Sequence, residues 1–239
     1  MDIPHSEWLA EARTYLHGGA TRDLSFRLER LRCLKSAIES AEEAILEAPE
    51  LDLKKPRVEA YASEIGMVLN DTRHANKNVG RWLRHRSEQT PLGLRPPRSS
   101  LTPAPVGVAL IQSPWNYPFQ LAFSPLAAAI AAGNCACLKP SELTPHVADL
   151  IASIVRDNFH PAHVRVVKGG EDSARELLAQ RFDFIFFTGS RRVGRAVMDK
   201  AAAHLTPVVL ELGGKCPCVV CRDAHIEIAA RRIAWGKFL

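Results

Sequence analysis

The chain has 239 residues, of which 46% are hydrophobic and 24% charged, with six cysteines. That mixture excludes a disordered tail, a collagen-like fibre and a small disulfide scaffold. Its 31 basic and 26 acidic side chains leave a formal charge of +5, and the excess is local. Arg73, Lys77, Arg81, Arg84, Arg86, Arg95 and Arg98 stand against Glu88 alone. A basic stripe without a nucleic-acid-binding motif reads as a solvated helix face or a subunit contact, so no nucleic-acid partner is expected.

The opening Met1-Asp2-Ile3-Pro4-His5 has neither a basic nor an apolar signal region, which predicts a cytoplasmic protein with reduced thiols. Leu24, Leu28, Leu31, Leu34, Ile38, Ala41 and Ile45 recur at three- and four-residue steps and predict one helix, with Thr21 as N-cap and Pro49 as stop. A second helix follows Pro56, with Val58, Tyr61, Ile65, Val68, Thr72, Ala75, Val79 and Trp82 on its apolar face. Both need a surface to pack on, and the later sheet is the candidate. Pro91, Pro96, Pro97, Pro103 and Pro105 make residues 90–105 an extended arm or edge ribbon. From Ser99 to Leu138 there is no charged side chain, but prolines and Gly133 interrupt the run, and no membrane span is expected.

From Val106 strands and helices alternate. Strands are predicted at Val106–Ile111, Asn134–Leu138, Val164–Val167, Phe182–Phe187 and Pro207–Leu212. Between them lie helices at Phe119–Ala132, from Thr144-Pro145 to about Phe159, Asp172–Ala179 and Val193–Ala203. Such alternation implies parallel βαβ units, and the continuously apolar strands imply helices on both faces. The fold class is therefore α/β: a doubly wound, mainly parallel, five-stranded Rossmann-like sheet over residues 106–212. Residues 1–89 are amino-terminal helices, 90–105 the proline-rich arm, and 213–239 the start of a second α/β unit. In that last part Cys216–Cys221 reads as a strand, and Asp223 as the cap of a helix with Ile226, Ala229, Ala230, Ile233 and Ala234 on its apolar face.

Open parallel sheets bind nucleotides at the carboxyl ends of their strands. Four strand ends here carry unusual residues. Ser113-Pro114-Trp115-Asn116-Tyr117-Pro118 offers an amide that could donate to an oxyanion, or is a proline turn with a packing Trp. Lys139-Pro140-Ser141-Glu142 could hold ribose hydroxyls, or is a solvated helix entry. Phe187-Thr188-Gly189-Ser190-Arg191-Arg192-Val193-Gly194 runs from strand through glycine turn to helix, a setting that favours phosphate. Leu210-Glu211-Leu212-Gly213-Gly214-Lys215 puts a candidate general base before a glycine pair, or is an interdomain hinge.

Taken together and in this order, these segments resemble the aldehyde dehydrogenase superfamily, its class 3 type above all. His204-Leu205-Thr206-Pro207-Val208 and Arg231-Arg232-Ile233-Ala234-Trp235-Gly236-Lys237-Phe238 carry the same likeness. The resemblance implies a role for each residue. Asn116 would supply an oxyanion donor and Glu211 would activate the hydrolytic water. Pro114 and Trp115 would line the cofactor cleft. Lys139 and Glu142 would grip the adenosine ribose, with Glu142 tilting the choice to NAD, NADP remaining possible. Gly189 and Ser190 would pass the pyrophosphate, and Val193 would meet the adenine. Gly213 would lie near the nicotinamide, with Phe187 and Leu212 completing the cofactor contacts. The implied activity is NAD(P)-dependent oxidation of a small-molecule aldehyde to a carboxylic acid through a cysteine thiohemiacetal and thioester.

The resemblance places the nucleophile in a Gly-Gln-x-Cys-like segment shortly after Trp235-Gly236-Lys237-Phe238, and the sequence ends at Leu239. No residue here matches the catalytic cysteine, so the chain alone is expected to be inactive, and the family-type homodimer only of a full-length chain. Cys218-Val219-Val220-Cys221 is formally a metal or redox spacing, but no second ligand pair accompanies it and no metal is expected. Cys33 sits on a helix, Cys135 and Cys137 read as packing residues two apart on a strand, and Cys218 and Cys221 read as buried small hydrophobes. The alternative to an enzyme segment is a non-catalytic nucleotide-binding or dimerising remnant.

Overall fold

A computed structural model describes residues 3–94 and 96–238. Met1, Asp2, Arg95 of the basic stripe and the terminal Leu239 lie outside the described residues. Five parallel strands form the main sheet: β3 (Val108–Gln112), β4 (Cys135–Lys139), β5 (Val164–Val166), β6 (Phe184–Gly189) and β7 (Val208–Leu212), in the order β5-β4-β3-β6-β7. The two preceding strands, β1 (Arg86–Glu88) and β2 (Ser99–Leu101), pair antiparallel and turn the proline-rich arm into a separate ribbon.

Side chains alternate across the sheet, and each face has its own core. Val108 and Leu110 of β3, Cys135 and Cys137 of β4, and Ile185 and Phe187 of β6 point to one side. There they meet α1 (His5–His17), α8 (Glu171–Leu178) and α9 (Arg191–Ala202). Ile111, Ala136, Leu138 and Val164 point to the other side, toward α6 (Gln120–Ala132) and α7 (Pro145–Asn158). The doubly wound sheet of the sequence reading is thus present, with Cys135 and Cys137 packed side by side in one core. Gly133 ends α6 at φ 82, and a Cβ there would run into the Arg27 guanidinium. Arg27 in turn donates to Ala131 O at 3.1 Å and so holds the end of α6.

The amino-terminal helices differ from expectation in four ways. First, α1 was not signalled; it lays Trp8, Leu9 and Ala12 directly on the sheet. Second, the helix expected over Leu24–Ile45 is two, α2 (Leu24–Ser40) and α3 (Glu42–Leu53), broken at Ala41 (φ −99, ψ 11). Thr21 is not its cap: Asp23 holds the N-cap position. Pro49 does not stop α3 but lies buried inside it, and the helix ends at Lys54 in left-handed backbone (φ 57). Third, α4 (Arg57–Ala60) reaches α5 (Gly66–Trp82) through a π-helical turn, Tyr61–Ile65. That extra residue rotates the apolar face, so Val58 (83%) and Tyr61 (45%) are exposed although the 3.6-residue spacing buries them. Fourth, α2, α3 and α5 pack over α6 and α7, a second helical layer above the one that covers the sheet.

After β7 the chain forms no strand at Cys216–Cys221; that segment is exposed, with no neighbouring strand to complete a ladder. The last helix, α10, spans Ile226–Phe238 and buries no side chain. Its first turn is capped by the His225 ring, which accepts from Ile228 N at 3.4 Å, where Asp223 had been expected. No helix among the described residues is long and apolar enough to cross a membrane.

Candidate active site

Parallel pairing brings the four motif-bearing strand ends to one edge of the sheet. Gln112, the last residue of β3, lies beside Lys139 of β4 and Phe187 of β6. Thr188 pairs with Glu211, and Gly189 with Leu212. With strands about 4.8 Å apart, the four ends span about 14 Å. The strand order reverses between β3 and β6, which is where open α/β sheets hold their ligands.

Lys139 ends β4 on the α8–α9 side, in line with Cys135 and Cys137. Its ammonium is sheltered and donates to Glu142 Oε2 at 2.9 Å, while Glu142 itself is half-exposed. Burial alone would raise the Glu142 carboxyl. The Lys139 hydrogen bond and charge, with a backbone N–H, outweigh it and hold the carboxyl below its ordinary value. Pro145 then starts α7 one residue beyond Thr144, so the Lys139–Glu142 pair sits just before a helix entry.

The glycine turn is built from below. A Cβ on Gly189 would come within 2.6 Å of Phe187 Cζ. Phe187 is therefore a buried support of the turn rather than an open wall of the cleft. Ser190 is the N-cap of α9, its Oγ accepting from Val193 N at 3.3 Å. Arg191 and Arg192 occupy the first turn of α9, with no acidic residue there. A Cβ on Gly194 would meet Leu212 Cδ2 at 2.9 Å, so Leu212 packs against the same helix. Nothing lies within 4 Å of a Cβ at Gly213.

Glu211 stands on the opposite face. Val208 and Leu210 pack into the α8–α9 core, so Val209 and Glu211 point toward the α6 side, where Glu211 is exposed. Pro114, Trp115 and Asn116 lie on the loop from β3 to α6, with Trp115 and Asn116 exposed. That loop is tied at both ends. Ser113 N donates to Lys139 O at 3.2 Å, and the Asn116 carbonyl accepts from Lys55 Nζ at 3.0 Å. The sequence reading missed Lys55 and its partner Glu64, which lie in the helical layer more than fifty residues upstream. Nothing in the sequence sets them apart, since Asp52, Lys54, Arg57 and Glu59 place other charges close by.

Three buried polar atoms at this edge have no partner among the described residues: Gln112 Nε2, Ser113 Oγ and Thr188 Oγ1. Buried polar atoms ordinarily pair; by strand alternation Gln112 faces the α8–α9 side and Thr188 the α6 side, so the ends of β3 and β6 leave polar groups open on both faces of the sheet. The aldehyde dehydrogenase family model matches residues 6–239. The chain belongs to the aldehyde dehydrogenase family.

Within that family it is 45% identical to 4,4'-diaponeurosporen-aldehyde dehydrogenase of Staphylococcus aureus over 95% of this chain and 50% of the relative. It is 41% identical to aldehyde dehydrogenase family 3 member A2 of Macaca fascicularis, over 92% of this chain and 46% of the other. A dimeric NADP-preferring aldehyde dehydrogenase of Canis lupus familiaris matches at 40% over 98% of this chain and 52% of its own length. Among solved structures, a substrate-bound Staphylococcus aureus AldH superposes with a TM-score of 0.94 at 43% identity, covering 99% of this chain and 52% of that one. Betaine aldehyde dehydrogenase from the same organism, solved with NAD+, gives 0.84 at 26% identity, covering 94% and 45%. The chain thus spans about half the length of the curated relatives it matches. Its six cysteines are free thiols. Among the described residues no group of three or more His, Cys, Asp or Glu side chains is placed to hold a metal ion.

Proposed function

We propose that these residues form the cofactor-binding part of an NAD-dependent aldehyde dehydrogenase that oxidises a small-molecule aldehyde to the carboxylic acid. The observation that carries this reading is the shared edge: an oriented Lys139–Glu142 pair, a glycine turn onto a helix N-terminus and three unpartnered buried polar atoms, in a chain of this family. NAD, when bound, supplies the hydride acceptor. Lys139 donates to the ribose hydroxyls and Glu142 accepts from them. The Glu142 carboxylate repels a 2′-phosphate, which favours NAD, with NADP as the second choice. The N–H groups at the start of α9, beyond Gly189 and Ser190, face the pyrophosphate, and Val193 lies against the adenine. Pro114, Trp115, Leu212 and Gly213 line the path toward the nicotinamide.

At the reacting end the Asn116 amide donates to the oxyanion formed when a cysteine thiolate adds to the aldehyde carbon. After loss of hydride from that carbon leaves a thioester, Glu211 would take the proton of the water that attacks it, the C–S bond would break and the sulfur would leave as thiolate. None of the six cysteines here is assigned as that nucleophile. Burial pushes Cys135 and Cys137 up to about 12, which keeps them as thiols at neutral pH. Cys216, Cys218 and Cys221 follow Glu211 on an exposed segment. On this reading the nucleophile, like the family-type dimer, belongs to a longer chain, residues 106–212 are the cofactor domain, and the cellular setting is the cytoplasm.

The second reading, a nucleotide-binding or dimerising module without catalysis, draws support from α10, whose Ile226, Ile228, Trp235 and Phe238 are all exposed. Calorimetric titration with NAD beside an aldehyde-oxidation assay tests both. The 239-residue chain is expected to bind NAD without turnover. Failure to bind NAD overturns the first reading and leaves only the dimerising form of the second, and aldehyde-dependent NADH formation abolished by Glu211→Gln overturns the assignment of the nucleophile.

A further inference from the structure

Lys55 is 7% exposed and Glu64 0% exposed, yet both carry charge. Lys55 Nζ donates to Glu64 Oε1 at 2.6 Å and to the Asn116 carbonyl at 3.0 Å, and lies 4.2 Å from the centre of the Tyr117 ring. The other oxygen of Glu64 accepts from Phe119 N at 3.1 Å and Gln120 N at 2.9 Å. Phe119 holds the N-cap position of α6 and has no side chain able to cap. Glu64 therefore does from another helix what a capping side chain does locally, placing a carboxylate at the positive end of α6. One buried pair thus fixes the backbone at Asn116, Phe119 and Gln120, most of the way from β3 to α6.

A buried ion pair is poor evidence of a stabilising role, because desolvation offsets most of the Coulomb attraction and an apolar pair of similar volume is often as stable. The local backbone departs from regularity at both members. Lys54 takes left-handed backbone (φ 57), and the Lys55 N–H turns back to Pro49 O at 3.3 Å. Glu64 lies in the π-helical turn, which faces it inward while Tyr61 stays out. Both irregularities deliver charge to the same loop.

We infer that Lys55 and Glu64 are positioning residues: through the Asn116 carbonyl and the start of α6 they set the direction of the Asn116 amide and the Trp115 ring at the cofactor edge. This deepens the proposed function and rests on it. Holding the carbonyl of Asn116 fixes the peptide plane that joins Asn116 to Tyr117, and with it the Cα from which the Asn116 side chain departs, one residue along from Trp115. The Tyr117 ring beneath the ammonium keeps Lys55 from swinging away.

The test uses the 239-residue chain labelled with 5-fluorotryptophan, the Trp115 resonance being assigned with Trp115→Phe. Two variants are compared with the parent. In Lys55→Met/Glu64→Gln both charges are neutralised together. In Lys55→Arg the charge opposite Glu64 remains but the donor to Asn116 is displaced. The double variant is expected to melt near the parent temperature, while its Trp115 fluorine line shifts and broadens and NAD affinity falls about tenfold, the equivalent of one lost charged hydrogen bond. Lys55→Arg is expected to shift the same line with the fold retained. An unchanged Trp115 line in either folded variant overturns the inference, and so does collapse of both variants, which would make the pair purely structural. A parent chain that binds no NAD refutes the proposed function instead, and leaves the fluorine readout to judge the positioning role by itself.

Discussion

Truncating Lys139 to alanine separates a binding role from a structural one. Lys139 is held by β4 with its ammonium 2.9 Å from Glu142 Oε2, sheltered on the α8–α9 side of the sheet. If it donates to a ribose hydroxyl, Lys139→Ala removes a charge-assisted hydrogen bond of about 1.5–3 kcal/mol, which weakens NAD binding between about tenfold and a hundredfold. The ion pair contributes far less to the fold. Glu142 is half in water, so the pair is worth at most about 1 kcal/mol, and melting should drop by no more than about 4 °C. Glu142 gives a second readout. Its carboxylate is favoured in the fold, so its contribution is present above the ordinary carboxylate range and is lost as pH falls through the lowered value. Without Lys139 the burial that opposes ionisation remains, and the carboxyl signal in a carbon-13 NMR titration should move to higher pH. Calorimetry with NAD and thermal melting are the assays. An NAD affinity within twofold of the parent would refute the ribose role, whatever the melting temperature.

Two further outcomes follow from the packing. His163 is 1% exposed, and burial, helped by the nearby Arg30 charge, lowers its pKa from 6.5 to about 4. The unfolded chain therefore takes up a proton that the folded one does not, and stability should fall by about 3 kcal/mol between pH 6.5 and 4. His163→Phe, whose ring is suited to neighbours Tyr15, Phe26 and Phe159, should remove that part of the slope in urea unfolding at the two pH values; equal slopes would contradict it. Gly189→Ala should cost about 1–3 kcal/mol because its Cβ meets the Phe187 ring, whereas Gly213→Ala, with open space, should melt like the parent and still weaken NAD binding. Thermal melts beside NAD titrations check both halves of that contrast.

The sequence revealed most where the fold repeats a simple unit. From Val108 to Leu212 strands, all but the edge strand β7 largely buried, alternate with helices, and punctuation by Gly133, Thr144-Pro145 and Ser190 sets the boundaries to within a few residues. The amino-terminal third was less legible because its features are not periodic. A π-helical turn breaks the 3.6-residue count at Tyr61, Ala41 bends one expected helix into two, and Pro49 is accommodated inside a helix that a left-handed Lys54 ends instead. Cys216–Cys221 looked like a strand because Val219 and Val220 suit one, but a strand needs a neighbour to pair with. The candidate site was visible as four motifs in chain order, because parallel topology carries strand ends to a common edge. Its supports were not. Lys55 and Glu64 act on a loop far away in sequence, and the unpaired Gln112, Ser113 and Thr188 become notable only once burial is known. The opposed faces of Lys139 and Glu211 also need the sheet, since the two residues lie on different strands.

Amide hydrogen exchange of the 239-residue chain with and without saturating NAD tests the shared edge most directly. The account predicts slowed exchange at residues 113–118, 139–144 and 188–193 together, with the distal ends of the same strands unchanged. Protection confined to a single one of these loops, or appearing only elsewhere on the protein, would contradict it.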